Sequence, residues 1–302
     1  MTSISSEHVF YAFSPDIKPA ARVPLGEKVT LETKDCFSNQ LQQPTDEIDT
    51  LDWNHINPAT GPLYLEGVEA GDLVRIDVLE VTPEDQSVMA CIPGAGALGT
   101  HITKHQTVIL HNDADNVVIP TSKGEVAIPA HPMVGVMGLA PTTGSIPTGE
   151  PGEHGGNMDC TLMVKGASLY LKAAVAGGLF GCGDIHTVMG DGEVLVCGAE
   201  AAGKVTVAAD IVEQPKLPVP FLENADIYAT IASAVTLDEA AQKATNDMLM
   251  FLTEIVGLSI NEAGCLMSAV GYVKVCQIVN PKKTARFEFP KKIVHELGFA
   301  GL

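Results

Sequence analysis

The sequence predicts a mainly β fold with a C-terminal helical pair. Its 302 residues include 29 Gly and 19 Pro, which supply the tight turns that short strands need. Hydrophobic residues make up 46% of the chain, enough for a substantial core. The apolar pattern changes from strand to helix spacing only near residue 236, with no linker composition there. We therefore expect one domain over residues 1–302.

Short strands are expected over roughly the first 220 residues. Val74, Ile76 and Val78 alternate with charged residues, which indicates a half-buried strand. The segments Glu193–Cys197 and Lys204–Val207 have similar composition and lie beside glycines, so we predict strands there too. Several short strands separated by Gly/Pro turns are typical of a sandwich or a barrel.

Two helices and a strand are predicted near the C-terminus. Thr236 and Glu239 form a capping box, and apolar residues then recur at helical spacing until Gly257 can end the helix. The sequence 259–262 repeats the capping box for a second, shorter helix. The segment Tyr272–Val279 has the composition of a strand.

The charge balance restricts the partners and the compartment. Eighteen basic residues against 37 acidic ones give a net charge of −19, which repels nucleic acid and leaves carboxylates suited to hard cations. No run of about 18 uninterrupted apolar residues predicts a membrane span, and no signal peptide is recognisable. Seven scattered cysteines without a C-x-x-C pair favour reduced thiols in the cytoplasm.

Some familiar motifs do not fit their context. Residues 94–99 match G-x-G-x-x-G, but the β-branched segment Thr100–Leu110 that follows predicts a strand and not the helix of a dinucleotide site. His101 and His105 lie in that segment, so we interpret them as ordinary polar residues. The absence of a G-x-S-x-G motif disfavours a serine hydrolase.

Three polar blocks carry the candidate chemistry. Residues 52–66 place a Trp, a His and two Asn beside a Pro/Gly turn, and residues 153–159 combine Glu, His, Asn and Asp with two glycines. In the third block, 183–193, Asp184 and His186 are two residues apart, so on a strand both face the same side. This sulfur-free N/O pair suits zinc or a harder divalent cation. The alternative for each block is an exposed polar turn.

Together the blocks resemble the acetamidase/formamidase family. The resemblance rests on Trp-Asn-His-x-Asn-Pro-x-Thr-Gly-Pro at 53–62, His-Gly-Gly-Asn-Met-Asp at 154–159 and Gly-Asp-x-His…Gly-Asp-Gly-Glu at 183–193. It spans most of the chain and is closest to the short form of the family. It implies a mostly β fold with sandwich-like sheets and a small α/β portion, a homodimer, and hydrolysis of acetamide, formamide or another short aliphatic amide.

The resemblance also implies a metal-dependent site. Zinc is the expected metal, with calcium as a possible second ion. The implied metal ligands are Asp35, His55, Asp159, Asp184 and His186.

Other site residues follow from the same blocks. Glu153 and Glu193 are alternative proton carriers, and Glu200 could support a ligand. The expected substrate-binding residues are Asn54, His154 and Asn157. Two other functions stay open: a cyclic-amide, lactam-type hydrolase with the same metal, and a non-catalytic β domain that binds a metal or small ligand.

Overall fold

Two large β-sheets dominate the computed structural model, which describes residues 2–113, 115–214 and 216–302. Strands hold 41% of the residues and helices 14%, which confirms the mainly β prediction. The strands are β1 (Thr2–Ile4), β2 (Val9–Phe10), β3 (Ala12–Phe13), β4 (Ala21–Pro24), β5 (Val29–Thr33), β6 (Ala59–Glu66), β7 (Leu73–Pro83), β8 (Gln86–Cys91), β9 (Gln106–Asn112), β10 (Asn116–Thr121), β11 (Gly124–Pro129), β12 (Met133–Gly138), β13 (Ile146–Pro147), β14 (Gly155–Asn157), β15 (Ser168–Lys172), β16 (Phe180–His186), β17 (Glu200–Ala201), β18 (Gly203–Val212), β19 (Phe221–Glu223), β20 (Ile227–Ala234), β21 (Tyr272–Gln277) and β22 (Lys283–Pro290).

The first sheet has the strand order β1-β5-β18-β7-β15-β19-β20-β22-β21. Strands β7 and β18 are antiparallel along almost their whole length, with Ile76 opposite Ala209 and Val205 opposite Val81. Alternate residues of β7 are buried, because one face of the strand lies on the core. The strands predicted at 74–78 and 204–207 are therefore confirmed.

The second sheet runs β11-β10-β9-β8-β17-β16-β12-β14, and β6 pairs with β16, β2 and β4. All seven residues of β16 are buried, because the strand has neighbours on both edges and a sheet packed on its face. Among the described residues, β3 and β13 form a separate short pair. Strand β16 therefore provides a fully enclosed support for polar side chains.

The main hydrophobic core lies between the two sheets. Its members from the first sheet include Leu31, Ile76 and Leu169, and those from the second include Leu63 and Phe180, all of them buried. Each buried Leu or Phe contributes about 1.5–3 kcal/mol to folding. Two sheets joined by a shared apolar layer confirm the sandwich-like prediction.

Helices α1 (Leu237–Met250) and α2 (Ile260–Val270) cover the end of the first sheet. Both start with the predicted capping box, in which Thr236 accepts from the Glu239 amide and Ser259 accepts from the Glu262 amide. A π-helical turn, Phe251–Ile255, continues α1, and Phe251 packs against Phe221 and Tyr228 of the sheet. The helical pair is thus confirmed.

Short helical segments complete the fold. They are α3 (Lys291–Glu296) and two 3-10 turns, Ile48–Thr50 and Trp53–His55. In the described part of the chain, no helix combines the length and the apolar character that crossing a membrane requires.

Three predicted strands are wrong or shortened. Residues 193–197 form turns, in which Glu193 and Val196 have left-handed φ angles of 48° and 92°. In the segment 100–110 the strand begins only at Gln106, and His105 before it pairs with Asp49, Nδ1 to Oδ1, at 2.8 Å. The strand predicted at 272–279 ends at Gln277.

Candidate active site

The end of β16 carries the polar residues at the centre of the molecule. Asp184 and His186 are on this strand, and His186 lies directly opposite Glu200 of β17. Asp159 follows β14, and Glu193 lies in the turn before β17. We call these five residues, Asp159, Asp184, His186, Glu193 and Glu200, the β16 cluster; each is at most 6% exposed.

The side chains of the β16 cluster converge on the His186 ring. His186 Nε2 lies 3.0 Å from Glu200 Oε1, 3.4 Å from Asp184 Oδ1 and 3.9 Å from Glu193 Oε1. Ligand atoms from Asp159, His186 and Glu193 all lie within 4.8 Å of one another. The same holds for Cys36, Asp184 and Glu200, which gives two adjacent groups of possible metal ligands.

Several buried polar atoms in the cluster lack a hydrogen-bond partner. They are Asp159 Oδ1, Asp184 Oδ1, Glu193 Oε2, Glu200 Oε2 and both ring nitrogens of His186. Among the described residues, no Lys or Arg forms an ion pair with these four carboxylates. A buried charge without a partner costs several kcal/mol, so this arrangement requires a cation or bound protons.

Burial and mutual repulsion set the proton affinities. Burial, then the charge of Asp184, raises the pKa of Asp159 to about 7, and burial raises the pKa of Glu200 to about 8. Burial opposes charge on His186, but the carboxylates of Glu200 and Asp184 outweigh it and raise the His186 pKa. The group therefore retains protons that a divalent cation would displace.

Two glycines leave the room that the cluster needs. A Cβ on Gly135 of β12 would lie 2.5 Å from both Asp159 Oδ1 and Asp184 Oδ2. A Cβ on Gly198 would lie 2.7 Å from Cγ and Nδ1 of His186. The backbones of Asp159, Asp184 and Glu193 have φ angles of 45°, 62° and 48°, uncommon for residues with a Cβ. Such local strain is typical of functional sites.

Four of the predicted site residues come together here: Asp159, Asp184, His186 and Glu193. Asp35 borders them at the end of β5, where its carboxylate accepts from the Asn39 amide at 2.8 Å. Asp35 and Glu200 line the same small cavity of about 30 Å³, enough for one water or ion. Burial raises the pKa of Asp35 to about 6.

The structure does not bring three other predicted residues to the cluster. His55 and Asn54 lie on the exposed 3-10 turn, where His55 Nδ1 is 2.6 Å from Asp52 Oδ2. The Glu153 side chain is 80% exposed and lies 3.7 Å from the Lys243 amine. Their assigned roles stay predictions.

His154 and Asn157 occupy an intermediate position. Asn157 is buried two residues before Asp159, and its Oδ1 has no hydrogen-bond partner. His154 lines a pocket of about 480 Å³ together with Glu153 and Lys282. Burial, then the charge of Lys282, lowers the His154 pKa to about 4, so its ring is neutral at pH 7.

Sequence reasoning missed Cys36 and Asn280. Cys36 is next to the nominated Asp35, and its burial within the second ligand group was not readable from a lone cysteine. Asn280 donates to Asp159 Oδ2 at 2.6 Å from the turn between β21 and β22. No local pattern marks it, because only the packing of a distant hairpin brings it there.

Comparison with known proteins defines the class of this protein with its two-sheet fold and buried imidazole–carboxylate cluster. It is an amidase, which is a hydrolase. The sequence model of the Acetamidase/Formamidase family matches residues 3–147 and 142–276. The chain belongs to the acetamidase/formamidase family, which confirms the resemblance seen in the three blocks.

Solved structures and a curated relative agree. The crystal structure of an acetamidase from Bacillus halodurans is 41% identical, with a TM-score of 0.95 over 98% of this chain and 100% of that one. A predicted acetamidase/formamidase from Thermoanaerobacter tengcongensis is 40% identical, with a TM-score of 0.94 and 98% of both chains covered. A formamidase from Methylophilus methylotrophus is 26% identical over 76% of this chain and 72% of its own length.

Proposed function

We propose that this amidase hydrolyses short aliphatic amides, acetamide and formamide, to carboxylate and ammonia with a divalent metal held by the β16 cluster. The observation that carries the proposal is the set of buried carboxylate and imidazole atoms without hydrogen-bond partners, gathered around His186 with no Lys or Arg ion pair among the described residues. Membership of an amidase family favours an enzyme over the alternative of a non-catalytic binding domain. Hydrolysis of a cyclic amide stays the alternative reaction.

The donor atoms favour zinc. Asp159, His186 and Glu193 form one ligand group with an imidazole nitrogen, and the adjacent group includes the Cys36 sulfur. Calcium takes oxygen ligands, so both groups suit zinc better, and calcium fits only as a second ion near the carboxylates of Asp35 and Glu200. Bound zinc supplies a Lewis acid that lowers the pKa of water and stabilises negative charge on an amide oxygen.

Of the two proposed proton carriers, the geometry supports Glu193. Burial, then the charge of Asp159, raises the pKa of the Glu193 carboxyl well above its usual value. One oxygen of the Glu193 carboxylate would hold the metal, and the other, without a hydrogen-bond partner, would accept a proton from water and give it to the leaving nitrogen. Glu153, exposed beside Lys243, has no comparable environment.

Substrate contacts are assigned to Asn157, His154 and Asn54. Asn157 is the best supported, because its buried amide lies next to the cluster with a free Oδ1. A primary amide substrate offers one carbonyl acceptor and two N–H donors. The side-chain amide of Asn157 could donate to that carbonyl and accept from those N–H groups.

The experiment measures ammonia from acetamide and formamide and the ring-opened amino acid from a panel of lactams, with the metal content of the protein determined before and after chelation. We expect release from a linear amide that is lost on chelation and restored by zinc. Ring opening of lactams, with no ammonia from either linear amide, would transfer the proposal to cyclic amides. Activity that survives complete metal removal would contradict the metal-dependent mechanism.

The assembly we propose is a homodimer formed through the helical end of the first sheet. Strand β21 ends this sheet, and Ile260, Tyr272 and Val273 around it are 69%, 61% and 52% exposed. A groove of about 450 Å³ between them is lined entirely by uncharged residues. In a chain of net charge −19, such a face is where two copies meet with least repulsion.

Light scattering on the purified protein tests this interface. Ile260→Asp combined with Val273→Asp should convert dimers to monomers, whereas Val126→Asp, at an exposed apolar position on β11, should not. A monomeric wild type would contradict the proposal. The cytoplasmic location stays a prediction, supported by seven free cysteines.

A further inference from the structure

The turn that carries Glu193 has little regular structure of its own. Its backbone is attached instead to the hairpin of β21 and β22: the Gly192 amide donates to the Cys276 carbonyl at 2.8 Å, and the Ile278 amide donates to the Gly192 carbonyl at 3.1 Å. Glu193 follows immediately, in a left-handed conformation. The position of the Glu193 carboxylate therefore depends on a hairpin more than 80 residues further along the chain.

A buried guanidinium fixes the same turn through its side chains. Arg286 of β22, with a side chain 3% exposed, binds Asp191 with two hydrogen bonds, Nη1 to Oδ1 at 2.9 Å and Nη2 to Oδ2 at 2.7 Å. Its Nε donates to Glu288 at 2.7 Å, which fixes the plane of the guanidinium. Bidentate pairs of this kind define orientation as well as distance.

The Asp191 carboxylate also reaches the segment of Asp159. The Thr161 hydroxyl donates to Asp191 Oδ1 at 2.7 Å, two residues after Asp159. Asn280, in the turn of the same hairpin, donates directly to Asp159 Oδ2 at 2.6 Å and is itself held through its amide by Gln277 Oε1 at 2.9 Å. The hairpin thus contacts the supports of both carboxylates in the first ligand group.

We infer that the β21–β22 hairpin is the positioning element of the metal centre: the Arg286–Asp191 pair sets the Glu193 carboxylate, and Asn280 sets that of Asp159. This rests on the proposed function in that these carboxylates hold the metal. We assign neither Arg286 nor Asn280 as a metal ligand or a substrate contact. Removing a hydrogen bond that orients a metal-binding side chain usually lowers metal affinity or activity by about 10–100-fold.

The test compares Arg286→Lys with a matched substitution, Arg75→Lys. Arg75 lies on β7 of the same sheet and pairs with two carboxylates, Asp77 at 3.1 Å and Asp210 at 3.5 Å, none of them in the β16 cluster. Both variants keep the charge and lose the planar fork. Zinc affinity is measured by competition with a chromophoric chelator, alongside kcat, KM for acetamide and the melting temperature.

We expect Arg286→Lys to weaken zinc binding and lower kcat by about 10–100-fold with little change in KM, whereas Arg75→Lys changes neither. Asn280→Ala should weaken zinc binding in the same range. Combining Arg286→Lys with Asp191→Asn should cost no more than the worse single change, because the pair acts as one unit.

Equal zinc affinity and kcat in Arg286→Lys and Arg75→Lys would overturn the inference. If Arg286→Lys does not fold, Thr161→Val decides: we expect a smaller loss of zinc affinity and kcat, and unchanged values would contradict the positioning role. A wild type that binds no zinc would instead overturn the proposed function, so the two failures are distinguishable.

Discussion

The β16 cluster and the turn around His55 combine the same kinds of residue, a histidine with acidic groups, in opposite environments. His186 is fully buried among four carboxylates and neither ring nitrogen has a hydrogen bond, whereas the His55 side chain is 55% exposed and paired with Asp52 at 2.6 Å. A satisfied exposed pair contributes little free energy and needs no ion. A group of buried carboxylates without a Lys or Arg partner strongly favours the binding of a cation. Burial without partners, and not residue type, therefore distinguishes a candidate metal centre from a polar turn.

The largest expected effect comes from exchanging the two histidines separately for alanine. His186→Ala should lower kcat/KM by at least about 10³-fold and release the metal, because it removes the nitrogen ligand among the carboxylates. His55→Ala should change kcat/KM by less than about threefold, as expected for an exposed pair. Steady-state kinetics with metal analysis measures both. Comparable losses would show that the turn closes onto the cluster in the working enzyme, as the prediction of His55 as a ligand requires.

The next comparison is between Glu193 and Glu153, the two residues predicted to carry a proton. Glu193→Gln should lower kcat by about 10²–10⁴-fold, the usual range for a general acid–base residue, and flatten the pH–rate profile. Glu153→Gln should leave kcat within about twofold, because its carboxylate is exposed beside Lys243. A reversed result would assign the proton transfer to Glu153.

A smaller loss is expected from the space that the cluster requires. Gly135→Ala should lower kcat by about 10²-fold, because the added Cβ would displace the Asp159 and Asp184 carboxylates that lie 2.5 Å from its position. The control is Gly264→Ala in α2, where a Cβ meets no atom within 4 Å and should raise helix stability. Full activity in Gly135→Ala would mean that the geometry around β12 is not catalytic.

The smallest effect concerns a buried histidine without carboxylates around it. The His154 pKa is about 4 in the folded protein against 6.5 unfolded, so the unfolded state binds the proton more tightly. His154 therefore contributes full stability above pH 6.5, and this contribution, at most about 3 kcal/mol, is lost as the pH falls toward 4.

Urea unfolding of wild type and His154→Gln at pH 7 and pH 4.5 measures this term. The wild type should lose more stability than the variant between the two values. Equal losses would mean that the ring is solvated in the folded protein. In that case His186, whose pKa is raised, would be the one of these two histidines with a pKa shifted by its surroundings.

Local signals in the sequence determined much of the fold. The alternation at 74–78 and the capping boxes at Thr236 and Ser259 act through neighbours in the chain, so they predict β7, α1 and α2 correctly. The turn at Glu193 escaped the prediction, because an apolar run such as Val194–Val196 resembles a strand until its backbone angles are known.

The residues of the candidate site were also predictable only in part. Asp184 and His186 were predictable as partners because strand spacing places them on one face. The block resemblance added Asp159 and Glu193. Nothing local indicated which polar blocks would be buried, so His55 and Glu153 had equal standing with residues that reached the centre.

By itself, the sequence indicated the family through the resemblance of its three polar blocks. It also determined the mainly β character and the capped helices, since these depend on short-range pattern and composition. Only the tertiary structure decided which carboxylates face His186, that Cys36 joins them, and that Asn280 and Arg286 hold them from the C-terminal hairpin. The physical reason is that burial and long-range hydrogen bonds are properties of packing between distant segments. No local pattern records them.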